Sequence, residues 1–270
     1  MTLIVGVLCE DSIVVGADGA ATSTTVMGNP TSRQSVKKLT NIGNKIIVGV
    51  SGPFGLGQLI VSAVDQLSTT PNVFSVQGTT KRRPEDSMVS LQKAIWAPIL
   101  DQWKLAKEAE PLVGQASAFQ SLISSSVVAV NVHSQPCLFS FDHQGRPEMT
   151  KSGLPFVAIG SGQPIAEPFL ALLRRIFWPD KCPTYGEGVF AVVWTLMHAI
   201  ETNPGGVAGP IQILTLKGGT VRELSEGDLG EHKQNIEDAE KALRNYRDSF
   251  AKGEQTAPPM PEPPPLSSSV

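Results

Sequence analysis

Thr2 is the residue best placed for nucleophilic chemistry, because it directly follows Met1. Methionine aminopeptidase removes an initiator methionine when the next residue is small, so Thr2 is expected to become the mature N-terminus. Its free α-amine, with a pKa of about 8, would then accept the proton of its own hydroxyl during attack on a carbonyl group. Such a residue needs no separate histidine base. Many proteins begin with Met-Thr, however, so this feature gains weight only from its surroundings.

Predicted strands and predicted helices follow Thr2 in alternating groups. The apolar runs at residues 2–7 and 13–17, separated by a polar turn, predict a β-hairpin at the start of the chain. Further strands are predicted at 46–50, 124–132, 136–142, 156–159, 211–216 and 220–224. Helices are predicted from residue 56 onward, at 88–109 with an interruption or bend at Pro98, at 164–177 and at 186–201, with a surface loop at 69–85. This order predicts an α+β fold, a four-layer αββα sandwich, instead of a repeating βαβ sheet.

The C-terminal part has a different pattern. Apolar residues recur at steps of three and four between Ile236 and Phe250 on an otherwise charged segment, which predicts an amphipathic helix. The sequence after Gly253 is rich in Pro and Ser, which predicts a disordered tail. We therefore divide the chain into a main domain at 1–230, a C-terminal helix at 231–252 and a tail at 253–270.

Composition excludes several classes of function. The 270 residues are 41% hydrophobic and 17% charged, with a formal net charge of −3. This balance gives no electrostatic surface for nucleic acid or an anionic membrane. The start of the chain has no basic region typical of a signal peptide, and no stretch approaches the ~20 apolar residues of a membrane span. A cytoplasmic protein is expected.

Cysteine and histidine residues are scattered. The chain has three cysteines and four histidines, without a CxxC, HxH or HExxH motif. The cysteines are therefore expected to be reduced thiols, and neither a metal site nor a cofactor is predicted.

The opening of the chain resembles that of proteasome β-subunits. Residues 2–7 read TLIVGV, followed by Glu10-Asp11 and by IVVGADGAAT at 13–22. The family pattern there is T-x-x-V-G-(apolar), then D-(apolar)₃-A-A-D-x-x-A-T, and the spacing from Thr2 to Asp18 matches without a gap. The resemblance implies an N-terminal-nucleophile hydrolase.

Three later segments extend the resemblance in the same order. They are KKLTNI at 37–42, IIVGVSG at 46–52 and AIGSGQP at 158–164, which is similar to the element that opens the family's third helix. The resemblance covers about residues 2–225. Length and the C-terminal helix bring the chain nearest the bacterial proteasome homologues, either the Anbu type or the betaproteobacterial homologue, with the second favoured.

The resemblance implies a role for each matching catalytic position. Thr2 matches the nucleophile, and Lys38 matches the lysine whose charge lies beside the threonine hydroxyl. Lys37 is the alternative, because a loop-length difference separates this segment from Thr2. Asp18 matches the carboxylate that pairs with the lysine.

Other positions match backbone and cleft roles. Gly49 matches the glycine whose N–H stabilises the oxyanion, and Ser161 matches the serine that hydrogen-bonds the N-terminal amine. Gly49 is also explained by strand packing and Ser161 by capping a helix. The positions that line the substrate cleft in the family are Ala21, Thr22 and Ile47, whose sizes predict a modest apolar pocket.

One segment departs from the family pattern. The family has an Asp, two residues and then Ser-Gly-Gly near the threonine amine. This chain has neither the Asp nor the Ser around Gly205-Gly206, and Glu201 and Asn203 are the candidate substitutes. Weak or absent peptidase activity is therefore an open alternative.

The resemblance implies a threonine-type endopeptidase subunit of a homo-oligomeric ring, in the stacked double-ring arrangement, that degrades unfolded polypeptides. An ATP-dependent unfoldase is the partner class that such a ring would use. The alternatives are a catalytically weak or silent scaffold subunit and an N-terminal-nucleophile amidase for a small metabolite. Thr2 argues against the amidase, since those enzymes usually begin with Cys or Ser.

Overall fold

The computed structural model describes residues 2–24, 30–74, 83–113, 122–202 and 206–251. The chain has the predicted α+β class, and within these residues two five-stranded sheets and a two-stranded hairpin are present. The strands are β1 Ile4–Leu8, β2 Ser12–Ala17, β3 Ala20–Thr24, β4 Pro30–Ser35, β5 Leu39–Ile42, β6 Ile46–Ser51, β7 Ser125–Val132, β8 Gln135–Phe141, β9 Pro147–Met149, β10 Phe156–Ile159, β11 Gln212–Lys217 and β12 Thr220–Glu223. The helices are α1 Phe54–Ser68, α2 Pro84–Val113, α3 Gln163–Phe177, α4 Tyr185–Thr202 and α5 Glu226–Ala251.

The first sheet has the strand order β10-β1-β2-β11-β12. Its centre is the predicted opening hairpin, in which Ile4 of β1 lies opposite Ala17 of β2. β1 also pairs with β10, where Ile4 lies opposite Ile159. The beginning of the chain is thus held between two strands, and Thr2 lies next to the residues that follow β10.

The second sheet has the order β5-β6-β7-β8-β9, so β5 is an edge strand. Its start is fixed by pairing with β6, where Leu39 lies opposite Gly49. The hairpin strands β3 and β4 were not predicted, because their Thr-, Ser- and Gln-rich sequences lack the apolar alternation typical of buried strands.

Buried apolar side chains form three clusters. One lies between the two sheets and includes Ile4, Val15, Ile47, Ala129 and Leu214. A second joins the second sheet to α1 and α2, and a third joins the first sheet to α3, α4 and α5. Each sheet therefore buries both faces, which explains why its strands read as continuous apolar runs.

Helix α2 corrects one sequence prediction. It runs from Pro84 to Val113, beyond both predicted ends, and continues through Pro98 without interruption. Pro84 at the first position and the acidic Glu85 and Asp86 in the first turn favour this start. The buried Ile95 and Ile99 flank Pro98 and hold the helix on the core, so packing outweighs the cost of proline. Residues 75–82 of the predicted loop lie outside the described residues.

Helix α5 begins at Glu226, ahead of the expected residue 231. A capping box explains the start, because the Ser225 hydroxyl accepts from the Asp228 N–H while the Asp228 carboxylate accepts from the Ser225 N–H. The first half of the helix packs through the buried Leu229 and Ile236, and Ala239 lies against the same cluster. In the second half, Leu243 and Tyr246 are 47% and 43% exposed. The predicted tail at 253–270 lies outside the described residues.

Two kinds of feature are absent from the described ranges, a membrane-spanning helix and a metal-binding cluster. No helix there combines the length and apolar character that crossing a membrane requires. No group of three His, Cys, Asp or Glu side chains in those ranges is arranged to hold a metal ion. The described cysteines are free thiols, and burial raises the pKa of Cys9 to about 12.

Candidate active site

Thr2 is anchored by the turn that leads from β10 into α3. Its backbone nitrogen donates to the Ser161 Oγ at 3.1 Å, and its carbonyl oxygen accepts from the Gly162 N–H at 3.2 Å. The Ser161 hydroxyl also donates to the same carbonyl at 3.3 Å. Gly160 has φ +96°, and a Cβ there would lie 2.2 Å from the Thr2 carbonyl oxygen. Only glycine permits this approach, so the turn is shaped around Thr2.

Asp18 lies at the end of β2 and is completely buried. One carboxylate oxygen accepts from the Leu3 N–H at 2.8 Å and from the Lys38 ammonium at 2.6 Å. The other accepts from the backbone N–H groups of Ala20 at 3.2 Å and Ala208 at 3.4 Å. The carboxylate is thus satisfied by three backbone donors and one cation, as a buried charge requires.

Lys38 and Lys37 have different partners. The Lys38 side chain is 7% exposed and pairs with Asp18. The Lys37 side chain is 71% exposed and pairs with Glu223 at 2.9 Å. Burial lowers the pKa of the Lys38 ammonium below the ordinary lysine value, while the hydrogen bond and charge of Asp18 oppose that shift. Lys38 is therefore the lysine that the structure brings to Asp18 and, through it, to the residue after Thr2.

Gly49 and Ile47 share the face of β6 that points toward the first sheet. Gly49 lies opposite Leu39 on one side and Val127 on the other, so its backbone is inside the sheet. A Cβ at this position would lie 2.9 Å from the Leu39 side chain and 3.1 Å from that of Ile4. Ile47 is completely buried in the cluster between the sheets. Both positions therefore serve packing, and their predicted site roles stay predictions.

Ala21 and Thr22 lie on β3, which begins directly after the Asp18-Gly19 turn. Their register partners on β4 are Gln34 and Arg33. Ala21 is half-buried, and the side chain of Thr22 is outside the described residues. The hairpin therefore begins beside Asp18, and the cleft role of Ala21 and Thr22 stays a prediction.

Sequence reasoning missed two residues next to the site, Ser51 and Gln212. The Ser51 Oγ, at the end of β6, lies 2.9 Å from the position a Cβ on Gly160 would take, beside the Thr2 carbonyl. The Gln212 side chain binds the backbone of Lys38. A glutamine within the apolar strand at 211–216 was the available signal for the second, since a polar side chain in a buried strand needs a partner.

The segment that departs from the family pattern reaches the site through its backbone. The Ala208 N–H donates to Asp18, and the Gly19 N–H donates to the Ala208 carbonyl at 2.9 Å. Glu201, one candidate substitute for the family's aspartate, is exposed on the last turn of α4. Asn203, the other, lies outside the described residues.

Comparison with known proteins supports the resemblance read from the sequence. The profile of the family described as Proteasome subunit matches residues 2–70, which include Thr2, Asp18 and Lys38. Among curated proteins, none matches the sequence. The resemblance to proteasome-type subunits is thus confirmed for the part of the chain that carries most of the site.

Solved structures share the fold along nearly the whole chain. The helical assembly of the Anbu complex from Pseudomonas aeruginosa has a TM-score of 0.64 at 14% identity, covering 95% of this chain and 98% of that one. The Anbu (Gly-1) mutant from Hyphomicrobium sp. strain MC1 has a TM-score of 0.62 at 18% identity, covering 95% and 99%. Anbu, described as the ancestral beta-subunit, from Yersinia bercovieri has a TM-score of 0.62 at 13% identity, covering 93% and 97%. These proteins are of the Anbu type, one of the two bacterial groups that the sequence resembles, and not of the betaproteobacterial group that the sequence analysis favoured.

Proposed function

We propose that this chain is a threonine-type endopeptidase subunit of a self-compartmentalising, proteasome-like assembly, with Thr2 as the nucleophile. The observation that carries the proposal is the shared Asp18 oxygen, which joins the Leu3 N–H and the Lys38 ammonium at 2.8 and 2.6 Å. A cation is thereby held, through Asp18, close to the peptide bond that follows Thr2, the residue whose hydroxyl would attack. We include in the proposal the four-layer order of helices, sheet, sheet and helices, which the three apolar clusters support.

The reaction requires a free Thr2 amine, and therefore removal of Met1. The amine would then take the place of the peptide nitrogen that now donates to Ser161. The Thr2 hydroxyl would attack the peptide carbonyl carbon while the amine accepts its proton, directly or through one water. Transfer of that proton to the leaving nitrogen would break the peptide bond and leave an ester on Thr2, which water would hydrolyse.

Lys38 would act through its charge. A positive charge within about 4–6 Å favours the ionised form of an acidic neighbour, and thus the developing alkoxide of the attacking hydroxyl. Asp18 keeps the ammonium charged and oriented, against the effect of burial on the lysine pKa. Gly49 as the oxyanion donor, and Ala21, Thr22 and Ile47 as cleft residues, remain part of the proposal by resemblance.

Assembly is the second part of the proposal. The Pseudomonas aeruginosa relative is described as a helical assembly, and repeated head-to-tail contacts yield a closed ring or an open helix depending on the rotation between subunits. The second half of α5 leaves Leu243 and Tyr246 exposed in the single chain, where a neighbouring subunit would cover them. We propose a cytoplasmic homo-oligomer that admits unfolded polypeptides, with an ATP-dependent unfoldase as the partner class.

The rival function is a scaffold subunit with the same fold and little activity. The departure around Gly205-Gly206 favours it, because the acid and serine of the family pattern are absent there and Glu201 is exposed. An N-terminal-nucleophile amidase for a small metabolite has no comparable support.

Intact mass and covalent labelling distinguish the two functions. Purified protein is expected to lack Met1 and to gain one epoxyketone per subunit, because that warhead reacts with both the hydroxyl and the amine of an N-terminal threonine. T2A should abolish labelling, whereas T2S, which keeps a hydroxyl and a small second residue, should retain part of it. Light scattering on the same sample gives the number of subunits in the assembly. Retained Met1, or labelling that persists in T2A, would refute the peptidase proposal.

A further inference from the structure

Gln212 links the two sheets beside the Asp18–Lys38 pair. It is the first residue of β11, in the first sheet, and lies opposite Ala17, which precedes Asp18. Its side-chain oxygen accepts from the backbone N–H groups of Lys38 at 3.1 Å and Leu39 at 3.0 Å. The side chain of one sheet therefore binds the backbone where the edge strand of the other sheet begins.

The contacts of the carboxamide fix its orientation. Its NH₂ group donates to the Leu39 carbonyl at 3.2 Å and lies 3.5 Å from a Glu223 carboxylate oxygen. Two N–H donors face its oxygen, and two oxygen acceptors face its nitrogen. The reverse orientation would oppose donor to donor and acceptor to acceptor, so the amide has one favourable setting.

Gln212 binds the edge of β5, where a neighbouring strand would otherwise pair. β5 is an edge strand, so the outward N–H and C=O of Leu39 have no neighbouring strand to bind. Gln212, which is 9% exposed, supplies both partners from one side chain. The backbone at Lys38 and its ammonium are thus both tied to the first sheet, the backbone by Gln212 and the ammonium by Asp18.

We propose that Gln212 is a positioning residue for Lys38, which holds the lysine backbone so that its long side chain delivers the charge to Asp18 and Thr2. This role rests on the proposed peptidase function of Thr2. A lysine stem is flexible, so an ammonium position is reproducible only when both ends of the residue are held. Glu223 supports the same contact by facing the carboxamide nitrogen and pairing with Lys37.

Labelling kinetics test the positioning role. Q212L keeps the volume but removes all four polar contacts, so epoxyketone labelling of Thr2 should slow by about tenfold to a hundredfold. The pH above which labelling declines should also rise toward the ordinary pKa range of lysine, because a displaced Lys38 ammonium is better solvated. The matched control is T215V on the same strand, which removes only the 3.4 Å contact between the buried Thr215 hydroxyl and the Arg222 carbonyl. T215V should leave the labelling rate and the pH profile unchanged.

Hydrogen exchange tests the contact itself, without any need for activity. In Q212L the amide protons of Lys38 and Leu39 should exchange about tenfold faster or more, since each loses a hydrogen bond. T215V should exchange at these positions as the wild type does. An unlabelled wild type would refute the peptidase proposal alone, and exchange would then decide whether the contact exists. Unchanged exchange in Q212L would refute the contact, and faster exchange with unchanged labelling and pH profile would refute the positioning role.

A second variant serves if Q212L does not fold. Q212E keeps an acceptor for both N–H groups but places its other oxygen against the Leu39 carbonyl and the Glu223 carboxylate. Labelling and exchange should change in the same direction as in Q212L but less. Adding E223Q removes one facing charge and should recover part of the loss. A double variant no better than Q212E would contradict the arrangement.

Discussion

Lys37 and Lys38 are adjacent in the chain and both form ion pairs, yet their pairs belong to different physical environments. The Lys37–Glu223 side chains are 71% and 45% exposed, whereas those of Lys38 and Asp18 are 7% and 0% exposed. The exposed pair is solvated by water on most sides. The buried pair has lost that water. It is stabilised instead by the protein, including the three backbone N–H groups that donate to the Asp18 carboxylate.

The two pairs should respond differently when one partner is removed. A solvated pair can be removed with little effect, because water replaces each partner. Removal of one member of a buried pair leaves a charge that nothing compensates. The same isolation strengthens the electrostatic effect of Lys38 on its surroundings, which is the property that the proposed reaction would use.

The largest difference is expected between K38M and K37M. K38M leaves Asp18 without its cation and should lower the free energy of unfolding by about 3–5 kcal/mol, besides abolishing labelling of Thr2. K37M should lower it by about 1 kcal/mol or less and retain labelling. Denaturant unfolding and epoxyketone labelling of both variants provide the measurement. Equal losses of stability in the two variants would show that burial does not separate the pairs.

The dependence on pH should separate reactivity from stability. Burial lowers the pKa of Lys38 in the folded chain, so the unfolded chain binds more protons at this residue between the folded and unfolded pKa values. As pH rises through that window, wild-type stability should therefore increase relative to K38M. Thr2 labelling should decline over the same window, because the ammonium loses its charge. The free energy of unfolding and the labelling rate of Thr2 would be measured over the same alkaline pH series. If both fell together, this assignment would be contradicted.

Salt should produce the smallest effect. Double-mutant cycles with K37M and E223Q should give a coupling below about 1 kcal/mol that disappears near 1 M salt, where screening acts over about 3 Å. The corresponding cycle with K38M and D18N should give a coupling of up to about 3 kcal/mol that salt changes little. A salt-sensitive Asp18–Lys38 coupling would mean that water reaches the pair.

Most secondary-structure elements could be predicted because their signals are local. The opening hairpin, the strands around β7 and β8 and the helices α3 and α4 all have continuous apolar runs or helical spacing. The hairpin of β3 and β4 lacks such a signal, since its sequence is polar and its two strands are joined by backbone pairing. Pro98 predicted an interruption or a bend, and the packing of Ile95 and Ile99 keeps the helix continuous there.

Only part of the candidate site could be predicted from the sequence. Thr2, Asp18 and Ser161 could be singled out through the resemblance to proteasome β-subunits, whose motifs these short segments match in order. Gln212 could not be assigned a role, since its partners at Lys38 and Leu39 are remote in sequence and lie in the other sheet. Ser51 was missed for a similar reason, since it ends β6 and comes close to Gly160 and Thr2 only in the folded chain.

The sequence by itself determined the α+β class, the resemblance to proteasome subunits and the placement of a threonine before the first strand. These depend on patterns within short windows, where apolar periodicity and turn residues act directly. The resemblance favoured Lys38 over Lys37, but only the tertiary structure showed that Lys38 is the lysine that pairs with Asp18. It also showed that a glutamine of the opposite sheet binds the Lys38 backbone. The physical reason is that burial and pairing of charges depend on the register of strands far apart in sequence, which no local pattern specifies.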